Sequence, residues 1–303
     1  MTKVRRTMFD VQRRFNDRFN YPYVFLSDEP FSEGFMQGVR YMAGPNNSVE
    51  FGLIDSGEWV YPEWINPHRA EKVADDWANS NKMYADRVEW RHMVRYWSGP
   101  FADHSLLQKY QYMWRLEPGS HYTCDFEYDP FVHIQRNHLS YGFAISLEEM
   151  PDAVPSLLTA ARAFVLENPV LVSARENSLG WLFGPEFNRC QFLTNFEIVD
   201  LNFVRSAEYR ALFAFLDQRG GIYYERWTDA TVRSLAAAMF LRPDQVHWFE
   251  DVGYVHDLLN NCPQSSTRQM RCYCDPSESS HTLPMSCSSR WNSTSASLDP
   301  NSI

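Results

Sequence analysis

The sequence has no apolar run long enough to form a membrane-spanning helix. Such a helix needs about 18 apolar residues in a row, and no stretch of the 303 residues provides them. The basic N-terminal segment also lacks the short apolar core of a secretory signal peptide. These two absences alone indicate a soluble cytosolic protein, an interpretation that the cysteines and motifs described below oppose.

Positive charge is scarce as well. The chain has 28 Lys and Arg residues against 38 Asp and Glu residues, which gives a formal net charge of −10 at pH 7. An acidic surface repels phosphate backbones, so we expect no nucleic-acid partner. If the substrate is itself an anion such as a nucleotide, a metal ion or a local arginine cluster has to supply the positive charge.

Several common catalytic motifs are absent. There is no Gly-x-x-x-x-Gly-Lys-Ser/Thr loop and no Gly-x-Gly-x-x-Gly turn, which argues against P-loop ATPases and Rossmann dehydrogenases. The lack of a Gly-x-Ser-x-Gly elbow argues against the α/β-hydrolases. The nine histidines form no His-Glu-x-x-His zinc pattern.

Strand-like and helix-like segments alternate along most of the chain, which is typical of an α/β fold. We expect one domain, residues 1–262, and a Ser-, Pro- and Cys-rich tail, residues 263–303, that is either tied by disulfides or disordered. The predicted strands are residues 23–26, 49–54, 112–116, 122–126, 141–146, 191–199 and 246–252. The predicted helices are residues 8–19, 31–42, 66–87, one carrying Arg91, His92 and Arg95, then 155–166, 207–218 and 231–241.

The six cysteines are distributed unevenly. Two lie in apolar, strand-like segments, and four crowd the C-terminal end, namely Cys262, Cys272, Cys274 and Cys287. A zinc site is one interpretation of this cluster, although Cys-x-Cys is shorter than the usual spacing of zinc ligands. Two disulfides pinning the tail are favoured, and they indicate an oxidising compartment. Glycosylation sequons at Asn46 and Asn292 agree with such a compartment.

Four carboxylates lie in apolar, turn-adjacent segments: Glu117, Asp125, Glu197 and Asp229. Each is either an ordinary surface residue, or in the case of Asp229 a helix N-cap, or a buried group that needs a partner. The chain also carries 10 Trp, 16 Tyr and 21 Phe, whose rings either fill a core or stack on sugars and bases. The residues alone therefore indicate an acidic α/β protein with a candidate carboxylate-lined cleft.

A series of longer strings is more specific than any single residue. These strings are Arg14-Phe15-Asn16, residues 19–26 (FNYPYVFL), Asp28-Glu29-Pro30-Phe31, Arg91-His92-Met93, residues 112–119 (YMWRLEPG), Tyr122-Thr123-Cys124-Asp125, Asn195-Phe196-Glu197-Ile198, residues 220–227 (GGIYYERW) and residues 251–256 (DVGYVH). In this order they resemble the fungal α-1,2-mannosyltransferases of glycosyltransferase family 15, from Arg14 to Pro263. The tail cysteines resemble the family's cysteine pattern too.

The resemblance implies a fold and a function. We expect a single GT-A-like nucleotide-sugar transferase domain, a mixed central sheet flanked by helices, with its first strand absent from this sequence. The implied activity is retaining transfer of mannose from GDP-mannose to α-mannoside acceptors on O- and N-linked glycans of cell-wall glycoproteins. The implied location is the Golgi lumen, as a type II membrane protein whose anchor lies upstream of this sequence.

The resemblance also implies roles for individual residues. Glu117 and His256 match the residues that hold Mn²⁺ and, through it, the GDP-mannose donor. Glu197 matches the proposed nucleophile, which either attacks the anomeric carbon or stabilises its positive charge. Asp229 matches a carboxylate that positions or deprotonates the acceptor hydroxyl. Trp90 stands in the catalytic region where the family usually has a tyrosine, so a hydroxyl is replaced by an indole N–H.

Two alternatives stay open at this point. The tryptophan at position 90 and the absent first strand are compatible with an inactive relative that binds mannan or assists another transferase. A third interpretation keeps the enzyme and changes the transferred group to mannosyl-phosphate.

Overall fold

The structure is a computed structural model that describes residues 2–79, 87–172, 177–183 and 187–296. It confirms the mixed α/β architecture expected from the sequence. The strands are β1 (Tyr23–Ser27), β2 (Val49–Leu53), β3 (Tyr112–Leu116), β4 (His121–Tyr122), β5 (Tyr141–Phe143), β6 (Ser146–Glu148), β7 (Cys190–Phe192), β8 (Phe196–Asp200), β9 (Val246–Trp248), β10 (Tyr254–His256) and β11 (Leu259–Asn261).

The helices alternate with these strands and flank them. They are α1 (Thr2–Val11), α2 (Asp17–Phe19), α3 (Glu33–Ala43), α4 (Pro67–Asn79), α5 (Val88–Ser98), α6 (Pro130–Arg136), α7 (Leu157–Glu167), α8 (Leu179–Leu182), α9 (Leu201–Val204), α10 (Ala207–Arg219), α11 (Gly221–Tyr224), α12 (Asp229–Phe240), α13 (Ser266–Gln269) and α14 (Ser288–Ala296). A π-helical turn, Gln12–Asn16, joins α1 to α2. Among the described residues, no helix is both long and apolar enough to cross a bilayer.

The central sheet has four strands in the order β3-β8-β5-β9. Strand β8 runs antiparallel to both of its neighbours, while β5 and β9 are parallel, so the sheet is mixed as expected. In this register Glu197 lies between Arg115 on β3 and Phe143 on β5. Because directly opposite residues share a face, Arg115 and Glu197 lie on the same side of the sheet.

The two faces of this sheet belong to two separate hydrophobic cores. Tyr141, Phe143 and Val199 lie in the larger core, together with residues of α5, α10 and α12. Phe196 and Ile198 alternate with them and lie in the smaller core, which the N-terminal helices cover. This alternation is the period-two pattern of strands, and it places Glu197 on the face that α5 and α12 cover.

Helix α12 is buried along nearly its whole length, from Asp229 to Met239. Its N-cap is Thr228, whose side chain accepts a hydrogen bond from the backbone N–H of Thr231. The expectation that Asp229 caps this helix is therefore wrong. Because Thr228 already caps the helix, the carboxylate of Asp229, the first helical residue, is available to bind other side chains.

Several predicted strands are shorter than expected. The chain crosses from the central sheet to the separate β6–β7 pair, so the predicted strand 141–146 divides into β5 and β6, and 191–199 into β7 and β8. The predicted strands 122–126 and 246–252 shorten to β4 and β9. Helix α4 ends at Asn79, and the remainder of its predicted span, up to residue 86, lies outside the described residues.

All six cysteines form disulfides, so none is left to bind zinc. The zinc interpretation is wrong, and the expected two disulfides pinning the tail are corrected to three. Each joins a cysteine of residues 1–262 to one of the tail, in the pairs Cys124–Cys272, Cys190–Cys287 and Cys262–Cys274. The tail also contributes Trp291, which is 2% exposed, to the larger core. Its residues up to 296 are thus packed against the domain, while the predicted boundary at 262 stays a prediction.

Candidate active site

Glu197 forms an ion pair with Arg233 in the middle of the molecule. The Arg233 Nε lies 3.1 Å from Glu197 Oε2, and neither side chain has any exposed surface. Arg233 also donates to the Tyr209 hydroxyl at 2.6 Å and to the Trp97 carbonyl at 3.1 Å. A buried charge is tolerated only when it is paired and its remaining donors are satisfied, and both conditions hold here.

The electrostatics of this pair reflect its burial. Loss of solvent raises the pKa of the Glu197 carboxyl, although the charges of Arg233 and then Arg115 oppose that shift. Burial is the largest influence on the pKa of Arg233 and lowers it, but the combined opposing effects of Glu197, Tyr209 and Tyr141 exceed it, so the net shift is upward. Arg233 therefore stays charged beside Glu197.

Asp229 is held by two groups from the central part of the fold. Its Oδ2 accepts a short hydrogen bond from Arg115 Nη1 and another, 2.7 Å long, from the Thr194 hydroxyl. The side chains of Arg115 and Asp229 are both 9% exposed. Because Arg115 lies opposite Glu197 in the sheet, this second ion pair stands directly beside the first.

Arg115 also links the two carboxylates that flank it. Its Nη2 lies 3.3 Å from Glu117 Oε2, and its guanidinium carbon lies 4.9 Å from the centre of the Trp97 ring. Arg115 thus bridges Asp229 and Glu117 beneath an indole. Glu117 is the more open of the two acids, since 26% of its side chain is exposed.

His256 is the last residue of β10 and is linked to the start of β8 through Asn195. Glu117 follows the last paired residue of β3, and Asn195 precedes the first residue of β8, so the two stand opposite each other on the same register. The Asn195 side-chain nitrogen lies 3.2 Å from His256 Nδ1. Asn195 therefore connects the position of Glu117 with that of His256, whose side chain is 22% exposed.

The chemistry at His256 is suited to a metal ligand. The Asn195 side-chain oxygen is buried without a hydrogen-bond partner. Amide O and N atoms are nearly the same size, so the amide group fits equally well when rotated by half a turn. In that orientation the oxygen would accept a hydrogen bond from the N–H at His256 Nδ1. This arrangement leaves Nε2 free with its lone pair, as in most metal-binding histidines.

Among the described residues, the clusters of three or more side chains close enough to share a metal consist mainly of disulfide cysteines. Glu117 and His256 are not members of such a cluster. Their assignment as metal ligands stays a prediction.

Known proteins resemble this chain in sequence and in fold. The sequence profile of the family described as glycolipid 2-alpha-mannosyltransferase matches residues 1–296. The chain belongs to this family. The glycolipid 2-alpha-mannosyltransferase of Saccharomyces cerevisiae is 40% identical over 270 residues, which cover 88% of this chain and 60% of that protein. The chain thus spans less than two thirds of that relative's length.

Two solved structures of mannosyltransferases are also similar. The crystal structure of Ktr4p from S. cerevisiae in complex with GDP has a TM-score of 0.91 and 34% identity, covering 97% of this chain and 78% of that one. Core-mannan synthase A from Aspergillus fumigatus, in its Mn/GDP form, has a TM-score of 0.89 and 33% identity, covering 97% and 81%. The fold of this mannosyltransferase family member is therefore the one expected from its motifs.

Trp90 occupies a different part of the site from the two ion pairs. It lies on α5 seven residues before Trp97, hence on the same side of that helix, two turns away. Its ring lies 5.3 Å from the guanidinium carbon of Arg226, which is paired with Glu149 at 3.4 Å. The predicted role of Trp90 in catalysis stays a prediction.

The sequence prediction missed the residues that hold the acids in place, Arg115, Arg233, Asn195 and Thr194. Arg233 could have been found, because a single arginine within an otherwise apolar helix requires a buried partner. Arg115 is likewise a single arginine among the apolar residues of β3. Asp125, by contrast, is 61% exposed and pairs with Arg14 on the surface, so it lies outside the site.

Proposed function

We propose that this chain is a Mn²⁺-dependent, retaining α-1,2-mannosyltransferase that moves mannose from GDP-mannose to α-mannoside acceptors on O- and N-linked glycans of cell-wall glycoproteins. The observation that carries this proposal is the pairing of Glu197 with Arg233 directly beside Arg115 with Asp229. The relatives support it, since one is named a 2-alpha-mannosyltransferase and another is in a Mn/GDP form.

The donor end of the site is formed by Glu117 and His256. A carboxylate oxygen and an imidazole nitrogen are both ligands that Mn²⁺ accepts, so these two residues would hold the ion. When bound, the ion neutralises the charge on the diphosphate leaving group. Arg115 and Arg233 are already paired with carboxylates, so they leave this charge uncompensated.

Glu197 supplies a fixed negative charge to the sugar. An α-linked donor and an α-linked product require retention, either through a covalent intermediate or within an ion pair on one face. Glu197 has no exposed surface and both of its oxygens face Arg233. We therefore favour stabilisation of the developing positive charge over direct attack. A mannosyl adduct on Glu197, detected by intact-protein mass spectrometry without acceptor, would contradict this.

Asp229 is suited to the acceptor. Both of its described hydrogen bonds end on Oδ2, which leaves Oδ1 for the hydroxyl of an incoming mannoside. Because Arg115 and Thr194 fix the carboxylate, its orientation does not depend on the substrate. Trp90 offers an indole face and a donor N–H at the border of the same region.

The proposed compartment is the Golgi lumen. Three disulfides support this location, because such bonds persist in oxidising compartments and are rare in the cytosol. The buried position of Cys262 and Cys287 makes those disulfides part of the folded domain.

The direct test is incubation with GDP-mannose, Mn²⁺ and methyl α-mannoside. We expect a disaccharide that an α-1,2-specific mannosidase cleaves, with a mass that shows one added hexose. A product with one added hexose phosphate would identify mannosyl-phosphate transfer instead. The absence of any product would contradict the proposal.

Substitutions assign the residues in this test. Glu117→Ala and His256→Ala should abolish the Mn²⁺-dependent part of GDP binding, measured by calorimetry, and turnover with it. The exposed Glu63 and His68 offer matched controls, since Glu63→Ala and His68→Ala should leave both unchanged. Glu197→Gln should keep GDP binding and lose turnover. If Glu117→Ala binds GDP as the unmodified protein does in Mn²⁺, the metal assignment is wrong.

A further inference from the structure

The strand that carries His256 is the middle strand of a small antiparallel sheet. The order of this sheet is β4-β10-β11, with Tyr254 opposite Tyr122 on one side and Asn261 on the other. Its two outer strands are short, so few backbone hydrogen bonds within the sheet fix the position of β10. Whatever holds β4 and β11 therefore also holds His256.

The tail pairs with the residues that directly follow β4. The backbone N–H of Tyr273 donates to the Thr123 carbonyl at 3.0 Å, and that of Asp125 donates to the Arg271 carbonyl at 3.2 Å. The disulfide Cys124–Cys272 lies between these two hydrogen bonds. The tail thus forms an isolated antiparallel bridge just beyond the end of β4.

The tail also lies along the outer side of β11. The backbone N–H of Asn260 donates to the Ser280 hydroxyl at 2.9 Å, and that of Cys262 donates to the Ser279 hydroxyl at 3.0 Å. Cys262 follows β11 directly and is bonded to Cys274. Cys272 and Cys274 are separated by one residue. The short segment Cys272-Tyr273-Cys274 is therefore bonded both to Cys124, which follows β4, and to Cys262, which follows β11.

The Cys124–Cys272 disulfide also packs against the backbone that leads to His256. The Thr123 N–H donates to the Gly253 carbonyl at 2.8 Å. A side-chain carbon at Gly253 would collide with the sulfur of Cys124, so only glycine allows this approach. The disulfide therefore packs against Gly253, the residue that directly precedes β10.

We propose that the segment Cys272-Tyr273-Cys274, defined here as the tail staple, positions His256 and thereby sets the affinity of the site for a divalent cation with GDP. The proposal rests on the proposed function, in which His256 is a metal ligand. These cysteines are positioning residues, because none of them touches the substrate. The third disulfide, Cys190–Cys287, joins β7 to the start of α14 and contacts neither β4 nor β11 in the described structure, so it is a matched control.

The test compares double variants that remove one disulfide each. In Cys124→Ala/Cys272→Ala we expect calorimetry to show Mn²⁺-dependent GDP binding weakened about 10-fold or more, the usual cost of losing an outer support of a metal ligand. GDP binding in the absence of Mn²⁺ should not change. In Cys190→Ala/Cys287→Ala the thermal midpoint should fall, and the Mn²⁺-dependent affinity should stay as in the unmodified protein.

Two outcomes would overturn the proposal. The first is that Cys124→Ala/Cys272→Ala binds GDP in Mn²⁺ as tightly as the unmodified protein does. The second is that both double variants lose Mn²⁺-dependent GDP affinity equally, which would show a general effect of lower stability. If the first variant is not recovered folded, Cys262→Ala/Cys274→Ala releases the β11 side alone and serves the same comparison.

A further variant separates this proposal from the proposed function. If the unmodified protein binds GDP without any effect of Mn²⁺, or His256→Ala keeps that effect, the metal assignment itself fails. If His256→Ala loses the effect while Cys124→Ala/Cys272→Ala keeps it, the tail staple alone is wrong.

Discussion

The candidate site combines a buried half, formed by Glu197, Arg233, Arg115 and Asp229, with a half-exposed half, formed by Glu117 and His256. In the buried half the acids are held from within, by arginines on β3 and α12 that share their core. In the half-exposed half, Asn195 lies beside His256, and two disulfides join the tail to residues that follow β4 and β11. The first arrangement fixes charges permanently, while the second leaves room for a ligand to enter and leave.

Removing Arg233 should break the buried half with the largest effect. Arg233→Met leaves Glu197 ionised or neutral but unpaired at a site without solvent, so we expect a loss of about 3–5 kcal/mol in the free energy of unfolding. Urea denaturation measures it. The double variant Arg233→Met/Glu197→Gln removes both charges and should recover part of the loss. A double variant as unstable as the single one would show that the pair is not the cause.

Removing Asn195 should affect the half-exposed half and spare the fold. Asn195→Ala deletes the amide that orients His256, and we expect Mn²⁺-dependent GDP binding to weaken about 10-fold. Asn195→Asp keeps an oxygen that accepts from Nδ1 and should retain more of the affinity. Calorimetry gives both values, with Asn46→Ala, on an exposed turn, as the control. Unchanged binding in Asn195→Ala would remove Asn195 from the site.

Acid should weaken the central sheet by a smaller amount. Burial, and then the neighbouring His133, lower the pKa of His247 on β9 to about 4. Between the ordinary pKa of histidine, about 6.5, and that value, the unfolded chain binds a proton that the folded one does not. Stability should therefore fall as the pH falls from 6.5 towards 4. His247→Phe should flatten this dependence in urea denaturation, and an identical slope in both proteins would contradict the assignment.

The general architecture was accessible from the sequence because strands and helices differ in the period of their apolar residues. The local sequence allowed the helix at residues 207–218 to be predicted almost to the residue, as α10. It could not show that residues 141–146 divide between two sheets, since a change of sheet depends on distant partners. The single strand predicted there was wrong for that reason.

The site was accessible only in part. The acids Glu117, Glu197 and Asp229 stand out as carboxylates in apolar segments, and the family motifs give them roles. Their partners are far apart in the chain, as Asn195 and His256 are separated by 61 residues, so no local pattern reveals the contact. The pairing of Cys124 with Cys272, 148 residues away, was beyond reach on the same grounds.

The position of Arg115 opposite Glu197 has a consequence for how the chain reaches its native state. Side chains alternate between faces along a strand, so sliding β8 by one residue against β3 would turn Glu197 into the smaller aromatic core, away from every arginine described above. Such a mispaired sheet would carry an uncompensated charge among phenylalanines. The pairing of Glu197 with arginines on one face therefore favours the native alignment of β3 and β8 over a one-residue slip.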